Sequence, residues 1–476
     1  MRQIKKQVFS LGVGIVLALL FAGEAYGQGV FPPPPTGTLP DGATYLIEVP
    51  PNWNGTLFLY SHGYVVPGAP NLAFDAGDPV TQGILLSRGF ALAGSSYAHP
   101  GWAIQEALLD QIAVLDIFKS SVGEPKLTIA WGHSLGGIIT AGLVQQNPGV
   151  FDAALPMCGV LSGGVATWNT ALDSAFAFNT LVAGNGLQIV HITDPVGNLT
   201  FAEGALAAAQ TTPQGRARLA LVSAMGDGPG WFDPTAPEPA EDDFASQEAN
   251  QFLWAKFVDF GFAFALRAEL EFRAQGNPSS NEGVDYRKQL ARSIDREEVK
   301  ALYKEAGLDL DADLDTLNDA VRVSADPQAL KYLEQNIIFN GQIHIPVLTL
   351  HTKGDGLVVV QNESAYKNVV EEAGNAEFLR RTFVHRAGHC EFSPAETISA
   401  VETLLNRLKT GKWSGLKAED LNEGAAALGP ANIIFVTTPE GSVIAVPAAP
   451  AFFDFKPSKY LRPFDALARE KESREQ

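Results

Sequence analysis

Cysteine, basic residues and long apolar runs are scarce in this sequence of 476 residues. Its 2 cysteines are too few for a disulfide framework or a cysteine-rich metal site, so the chain is not a small disulfide-stabilised scaffold. Any disulfide bond must join Cys158 to Cys390 or link two chains. The 34 basic residues are outnumbered by 53 acidic ones, and the net charge of −19 repels phosphate backbones. We therefore expect no nucleic-acid partner.

Apolar residues, by contrast, are plentiful. They make up 46% of the chain, against 18% for charged residues. This balance supplies a large core and leaves too little charge for a disordered chain. The length exceeds that of one ordinary domain, so the chain has either several modules or one domain with a large insertion.

The N-terminus has the pattern of a secretory signal peptide. Basic residues within the first six positions precede an apolar run over residues 8–22, and small residues follow the run. The run is shorter than the roughly 20 apolar residues of a membrane span, so cleavage after Ala25 or Gly27 is favoured over a retained anchor. We expect residues 1–27 to be removed, which leaves a secreted or periplasmic protein without a stable membrane anchor.

The following residues show an alternation of strands and helices. A proline-rich lead-in is predicted over residues 28–43. Apolar runs bounded by turn residues predict strands over residues 44–49, 56–60, 90–97, 127–131, 151–157, 347–351 and 378–384. Helical spacing of apolar residues predicts helices over residues 102–118, 135–144, 363–372 and 395–408. This pattern indicates an α/β fold, a mostly parallel sheet with helices on both faces.

The alternation is interrupted by a long segment, residues 161–342, in which helical patterns predominate. A structureless loop of that length is implausible in a compact domain, so we expect a helical cap over one end of the sheet. The catalytic domain then consists of residues 44–160 and 343–410. Residues 411–476 are predicted as a C-terminal extension that contains a β-hairpin and ends in a charged segment.

Two patterns within the cap have alternative interpretations. One stretch is crowded with aromatic residues, which form either the buried core of the cap or a wall facing a ligand: Phe252, Trp254, Phe257, Phe260, Phe262 and Phe264. Alternating aspartates resemble the start of a calcium loop: Asp309, Asp311, Asp313 and Asp315. Leu314 stands where such a loop needs glycine, so we favour an acidic helix face or turn and expect no metal site.

The strongest functional signal is the pentapeptide Gly132-His133-Ser134-Leu135-Gly136, which lies between a predicted strand and a predicted helix. Gly-x-Ser-x-Gly in this context is typical of a nucleophile elbow. Such a turn holds its serine in a strained backbone conformation, and it needs the two glycines because a β-carbon at either position would clash. We therefore predict that Ser134 is a nucleophile.

A serine nucleophile needs a histidine base and a carboxylate that orients the histidine. Asp355 and His389 each follow a predicted strand, at the sheet edge where catalytic groups gather in α/β proteins. The order serine, acid, histidine is the one expected for this elbow. His385 is the alternative base, but it lies at the end of its strand, so His389 in the following loop is preferred.

The reaction of such a serine also needs backbone donors for an oxyanion. Leu135, directly after the nucleophile, supplies one N–H group. The second is expected from the loop after an early strand, where Tyr64 follows His62 and Gly63, and the predicted donor is the Tyr64 N–H group. For the His62 side chain, a hydrogen bond that orders the loop is favoured over proton transfer.

With these residues the chain resembles secreted members of the α/β-hydrolase fold superfamily, over residues 44–160 and 343–410 with the cap between them. The resemblance implies an esterase-like serine hydrolase in which Ser134, Asp355 and His389 are nucleophile, acid and base. It also implies that the two amides named above bind the oxyanion.

The adjacent residues His389 and Cys390 are similar to a pattern in tannases and feruloyl esterases, in which a disulfide bond ties the neighbours of the serine and the histidine. In this sequence the residue before the serine is His133. Cys158 follows the predicted strand 151–157 at the same sheet edge as the histidine loop, so a Cys158–Cys390 bond is geometrically reasonable. Two buried thiols are the alternative.

These residues predict an enzyme that cleaves carboxylic esters through an acyl-enzyme intermediate and needs no cofactor. Its expected partner is a small or polymeric ester substrate. A serine peptidase or amidase with the same residues is the alternative. A non-catalytic binding protein is disfavoured, because it would be expected to lack Ser134, Asp355 or His389, and none of them is missing. The acidic charge and the aromatic cap favour a neutral or apolar acyl group over an anionic one.

Overall fold

The structure is a computed structural model that describes residues 36–437 and 442–462. The predicted signal peptide, residues 28–35 of the proline-rich lead-in and the charged C-terminal end lie outside the described residues. In the described part of the chain, no helix combines the length and the apolarity that crossing a bilayer requires.

The strands of the described residues fall into two sheets. They are β1 (Thr36–Thr38), β2 (Thr44–Glu48), β3 (Thr56–Ser61), β4 (Ala91–Ser95), β5 (Leu127–His133), β6 (Ala153–Met157), β7 (Val347–Gly354), β8 (Leu379–Ala387), β9 (Ile433–Thr437), β10 (Val443–Pro447) and β11 (Phe452–Phe453). The main sheet has the order β1-β2-β4-β3-β5-β6-β7-β8-β11. Its six central strands, from β4 to β8, are parallel, and the outer strands pair antiparallel.

Helices cover both faces of this sheet and form the cap. They are α1 (Pro79–Ser87), α2 (Ile104–Ser121), α3 (Leu135–Gln146), α4 (Gly164–Leu181), α5 (Pro195–Gln210), α6 (Pro213–Ala224), α7 (Phe244–Trp254), α8 (Arg267–Ala274), α9 (Tyr286–Arg292), α10 (Arg296–Ala306), α11 (Leu310–Asp319), α12 (Pro327–Gln335), α13 (Asn362–Glu372), α14 (Pro394–Thr410) and α15 (Ala418–Ala426).

Alternate residues of the strands supply the two cores on either face of the sheet, because successive strand side chains point in opposite directions. In β3, Leu57 and Leu59 pack with α2, α3 and α13 on one face. Phe58 and Tyr60 pack with α1, α14 and α15 on the other. The predicted α/β-hydrolase fold, a mostly parallel sheet covered on both faces, is therefore confirmed.

The sheet extends further than predicted at both edges. At one edge, Thr36–Thr38 of the expected lead-in pair with β2, so the fold begins before residue 44. At the other edge, Phe452 and Phe453 of the C-terminal extension pair with β8. Both additions are two or three residues long, too short to show the period-two pattern from which strands are predicted.

The cap lies between β6 and β7 and has an apolar core of its own, built from residues between 172 and 317. Phe260 and Phe264 are buried in this core, where both rings pack against Phe178. They belong to an aromatic stretch that includes two short π-helical turns, Ala255–Asp259 and Phe262–Leu266. Wide turns of this kind occur often at functional sites.

The C-terminal extension connects the catalytic sheet to the cap. Strands β9 and β10 pair antiparallel, and the residues that join them, 438–441, lie outside the described part of the chain. Beyond β11, the guanidinium group of Arg462 forms an ion pair with Asp173 of α4, at 2.6 Å. The last described residue is thereby bound to the first cap helix.

A disulfide bond joins Cys158 to Cys390, with the Cα atoms 5.4 Å apart. Cys158 follows β6 and Cys390 follows β8, so the bond crosses over β7, which lies between these strands. It closes a loop with a sequence separation of 232 residues, which contains the whole cap. The bond limits the freedom of the unfolded chain and thereby stabilises the fold.

We expect the Cys158→Ala/Cys390→Ala double variant to unfold at lower denaturant concentration, with a loss of about 2 to 5 kcal/mol in the free energy of unfolding. Equilibrium denaturation with and without reductant measures the loss. Reductant should destabilise the wild type and leave the double variant unaffected. Alkylation of the unreduced, unfolded wild type at both cysteines would show that the bond does not form.

Candidate active site

Ser134 lies at a sharp turn between β5 and α3. Its backbone angles, φ 58° and ψ −121°, fall in a region that residues other than glycine rarely adopt. The turn packs tightly, because a β-carbon at Gly136 or Gly132 would overlap the carbonyl oxygen of Ser61. The glycines of the pentapeptide thus allow the turn that lifts the serine hydroxyl above the edge of the sheet.

His389 lies next to Ser134 and Asp355 lies next to His389, although Ser134 and His389 are 255 positions apart in the chain. His389 Nε2 is 2.7 Å from Ser134 Oγ, and His389 Nδ1 is 2.7 Å from Asp355 Oδ2. A carboxylate can only accept, so Nδ1 carries the proton and Nε2 accepts from the serine hydroxyl. This geometry can transfer a proton from the hydroxyl to the imidazole.

The environment of Asp355 keeps its carboxyl group ionised. Burial acts to raise its pKa, but the charge of His389 and hydrogen bonds from His351 and His389 outweigh burial, and the pKa is lowered from its ordinary value. Asp355 Oδ1 also accepts a hydrogen bond from the Val358 N–H group, at 2.9 Å. Both carboxylate oxygens are therefore held in place.

A second histidine behind Asp355 was not predicted from the sequence. The side chain of His351, in β7, is fully buried, with Nε2 3.4 Å from Asp355 Oδ2 and 2.7 Å from the Val358 carbonyl oxygen. Its Nδ1 is 3.2 Å from Glu363 Oε1. Burial acts to lower the pKa of His351, but hydrogen bonds to Asp355 and Glu363 outweigh it and raise the pKa to about 10.

The loop after β3 lies against the nucleophile. A β-carbon added at Gly63 would be 3.4 Å from Ser134 Cβ, so the backbone around Gly63 and Tyr64 borders the serine. Leu135 is the first residue of α3, where the amides of the first turn lack helical partners. The loop after β3 and the first turn of α3 thus both lie beside Ser134, and the binding of an oxyanion by the Tyr64 and Leu135 amides stays a prediction.

His62 has the structural surroundings of a residue that orders this loop. Its Nδ1 is 2.7 Å from the Gly63 carbonyl oxygen, and its ring stacks on Tyr97 with centroids 4.0 Å apart. Burial lowers the pKa of His62 to about 4, which keeps the ring neutral.

A cavity of about 620 Å³ lies above Ser134 and His389. Aromatic side chains form much of its wall: Tyr60, Tyr64, Phe74, Phe232, Trp254, Phe257, Phe262, Phe392 and Phe435. Trp254, Phe257 and Phe262 come from the aromatic stretch of the cap, so different members of that stretch form the core and the ligand-facing wall. The lining residues include acidic side chains but, within the described chain, neither lysine nor arginine.

His385, the alternative base, lies outside this cluster. Its Nε2 is 2.7 Å from Glu238 Oε2, and Lys353 Nζ is 2.7 Å from Glu238 Oε1. Glu238 belongs to the cap loop between α6 and α7, which also carries Phe232 of the cavity wall. The histidine therefore helps to connect this loop to the catalytic sheet.

The disulfide bond borders the same cluster. Cys390 Sγ is 3.4 Å from His389 Nε2. On the other side, the Ser134 N–H group donates to the Met157 carbonyl oxygen at 3.0 Å, one residue before Cys158. The bond thus joins the histidine loop to the strand that supports the nucleophile turn.

The aspartates that resemble a calcium loop belong to a helix start. The Asp309 side chain caps α11 by accepting from the Ala312 N–H group, and Asp313 forms an ion pair with Arg218 at 2.8 Å. In the part of the chain that the structure describes, no three His, Cys, Asp or Glu side chains are grouped as metal ligands.

Comparisons with known proteins extend these observations. The chain is 30% identical over 424 residues to the o-phthalyl amidase of Xanthobacter agilis, across 82% of this chain and 90% of that protein. Among solved structures, an esterase from Aspergillus oryzae shares 15% identity at a TM-score of 0.39, over 86% of this chain and 81% of its own. Feruloyl esterase B from the same organism shares 11% identity at a TM-score of 0.38, over 86% of this chain and 84% of its own.

The family match covers residues 38–373, which include the nucleophile turn, the cap and Asp355. This family match agrees with the topology of the sheet and with the similarity to the o-phthalyl amidase. The chain is a hydrolase of the α/β fold and belongs to the tannase-like family of unknown function, DUF6351.

Proposed function

We propose that the protein is a secreted serine hydrolase that cleaves carboxylic esters through an acyl-enzyme intermediate. The observation that carries the proposal is the hydrogen-bonded series from Asp355 through His389 to Ser134, beneath a cavity with an aromatic wall. A hydroxyl group is a weak nucleophile at neutral pH, and a base within hydrogen-bond distance removes that limitation.

In the proposed reaction, Ser134 Oγ attacks the carbonyl carbon while its proton moves to His389 Nε2. Asp355 stabilises the resulting imidazolium, and the Tyr64 and Leu135 amides bind the oxyanion. The intermediate collapses, and the alcohol leaves with the proton from Nε2. Water then attacks the acyl-enzyme by the same steps, which releases the carboxylic acid and restores Ser134.

Amide cleavage is the second candidate. The same residues can act on an amide, in which case His389 protonates a leaving amine. The observation that favours this candidate is the 30% identity to a protein named o-phthalyl amidase. An amide is intrinsically less reactive than an ester of the same acid, so a comparison of matched substrates separates the two activities.

We expect p-nitrophenyl esters to be turned over faster than the p-nitroanilides of the same acids, as measured by kcat/KM over a graded acyl series. The Ser134→Ala variant should lose at least about 10⁴-fold in kcat. A fluorophosphonate probe should label the wild type at Ser134 only.

The exposed Ser121, at the end of α2, supplies a matched control, and Ser121→Ala should retain both labelling and turnover. Faster cleavage of the anilides would favour the amidase. Equal labelling of the wild type and Ser134→Ala would contradict a serine nucleophile.

We further propose that His351 positions Asp355 for catalysis. Its Nε2 faces a carbonyl oxygen and the Asp355 carboxylate, and its Nδ1 faces Glu363. Glu363 Oε2 in turn accepts from Thr349 Oγ1 at 2.5 Å. A buried set of groups so fully hydrogen-bonded resists rotation of the Asp355 carboxylate, and the carboxylate sets the orientation of His389.

We expect His351→Leu to lower kcat by about 10²-fold, the effect of a misplaced catalytic group, while KM stays close to that of the wild type. His351→Gln keeps an N–H donor towards Asp355 and should recover most of kcat. Steady-state kinetics and thermal melting of both variants test this. Equal kcat values for the two variants, or a loss confined to KM, would reject a positioning role.

The proposal includes export. The signal-peptide pattern of residues 1–27 supports it, as does the disulfide bond, since such bonds persist in oxidising compartments. We expect mass spectrometry of the exported protein to give Tyr26 or Gln28 as the first residue. A variant without residues 1–27 should stay in the cytoplasm, and an intact Met1 on exported protein would contradict cleavage.

A further inference from the structure

A second cavity, here called the cap cavity, lies between the cap helices and the segment after β7, next to the catalytic cavity, and the proposed reaction does not use it. Its volume is about 130 Å³, whereas one water needs only about 10 to 15 Å³ by the same kind of measure. Phe262 and Leu357 line both cavities. The two cavities are therefore adjacent, and the cap cavity has the volume for a small organic group.

Most polar side chains of the cap cavity are occupied by protein partners. Ser174 Oγ donates to the Val222 carbonyl oxygen at 3.0 Å, and Thr170 Oγ1 donates to the Ala166 carbonyl oxygen at 2.9 Å. Asp259 differs from them, because its carboxylate has no hydrogen bond or ion pair to any described residue. It is the acidic side chain of the cavity wall.

Asp259 ends the first π-helical turn, Ala255–Asp259. Burial and the nearby charge of Asp355 raise the pKa of Asp259 to about 7, as expected for a carboxylate without a cation. Lys256, in the same turn, is exposed, with Nζ over the Phe257 ring at 4.9 Å. Asp259 is half-buried. Leaving a carboxylate in such a site without a partner is costly, and a ligand with a positive charge would offset that cost.

The charge of the surroundings favours the same kind of ligand. No described lysine, arginine or histidine lines the cap cavity. The catalytic cavity is lined by Asp78 and Asp233 without lysine or arginine. Its third acidic residue, Glu391, is mostly uncharged at neutral pH because burial raises its pKa to about 8. The whole chain carries a net charge of −19. Cavities with walls of one sign concentrate ions of the opposite sign.

We propose that the cap cavity is a substrate subsite that binds a small cationic group, an ammonium, with Asp259 as its counter-ion. The proposal rests on the serine hydrolase function proposed above and specifies its substrate class. A substrate with an ammonium at one end is preferred, and one with a carboxylate there is excluded.

The test compares p-nitrophenyl esters that differ only at the far end of the acyl chain: 6-ammoniohexanoate, its uncharged isostere heptanoate, and a carboxylate-terminated chain of matched length. Aminoalkyl and alkyl benzoates make the same comparison on the alcohol side. One side of the ester, acyl or alcohol, extends into the cap cavity. In the series that varies that side, we expect kcat/KM for the ammonium substrate to exceed that of the uncharged isostere by about tenfold, or about 1.4 kcal/mol.

In Asp259→Asn this ratio should fall to about one. Asp242→Asn makes the same charge change at an exposed position of the cap, away from both cavities, and should keep the wild-type ratio. A ratio unchanged in Asp259→Asn would overturn the proposal. An equal fall in both variants would also overturn it, since the preference would then come from the net charge of the molecule.

A measurement on the wild type alone avoids dependence on how the variants fold. At constant ionic strength, n-butylammonium ions should inhibit turnover of heptanoate ester more strongly than n-butanol or butyrate, and equal inhibition would contradict the subsite. Fluorophosphonate labelling of Ser134 is checked in the same samples. Labelling without a charge preference rejects only the subsite, whereas loss of labelling rejects the proposed hydrolase function.

Discussion

The functional architecture depends on the parallel pairing of four neighbouring strands, β5, β6, β7 and β8. Ser134, Cys158, Asp355 and His389 each follow the carboxyl end of one of them. The backbone register aligns these ends, for example His133 with Met157 and Gly354 with Ala387. Groups that are up to 255 residues apart in the chain therefore meet at one edge. No side-chain interaction could align them if the strands were shifted by one residue.

Buried polar groups add precision to this backbone framework. The side chains of His351 and Glu363 lie behind Asp355, and most of their donor and acceptor atoms are hydrogen-bonded. Below the nucleophile turn, the Ser134 N–H group bonds to β6, and the Cys158 N–H group bonds to the Leu350 carbonyl oxygen of β7. The Cys158–Cys390 bond then spans three strands. Backbone hydrogen bonds, side-chain hydrogen bonds and the disulfide bond thus all hold Ser134, Asp355 and the histidine loop in place.

The residues that could be predicted from the sequence are those whose chemistry has a local signature. The glycines around Ser134 indicate a turn that other residues would not permit, and Asp355 and His389 lie in the short segments that follow two apolar runs. His351 lacks such a signature, since a histidine inside a strand has no role until α13 brings Glu363 against it. Asp259 was missed for a related reason: its cavity depends on how several cap helices pack.

Synthesis of the chain proceeds from the N-terminus, so the turn at Ser134 emerges from the ribosome long before His389, the base proposed to activate it. The cap must follow in between, and the partner of Cys158 arrives one residue after His389. A partly synthesised chain with Ser134 but without the histidine loop lacks the base of the proposed reaction. Under the proposed mechanism, the order of elements in the chain therefore delays hydrolytic activity until the cap and the main sheet are both complete.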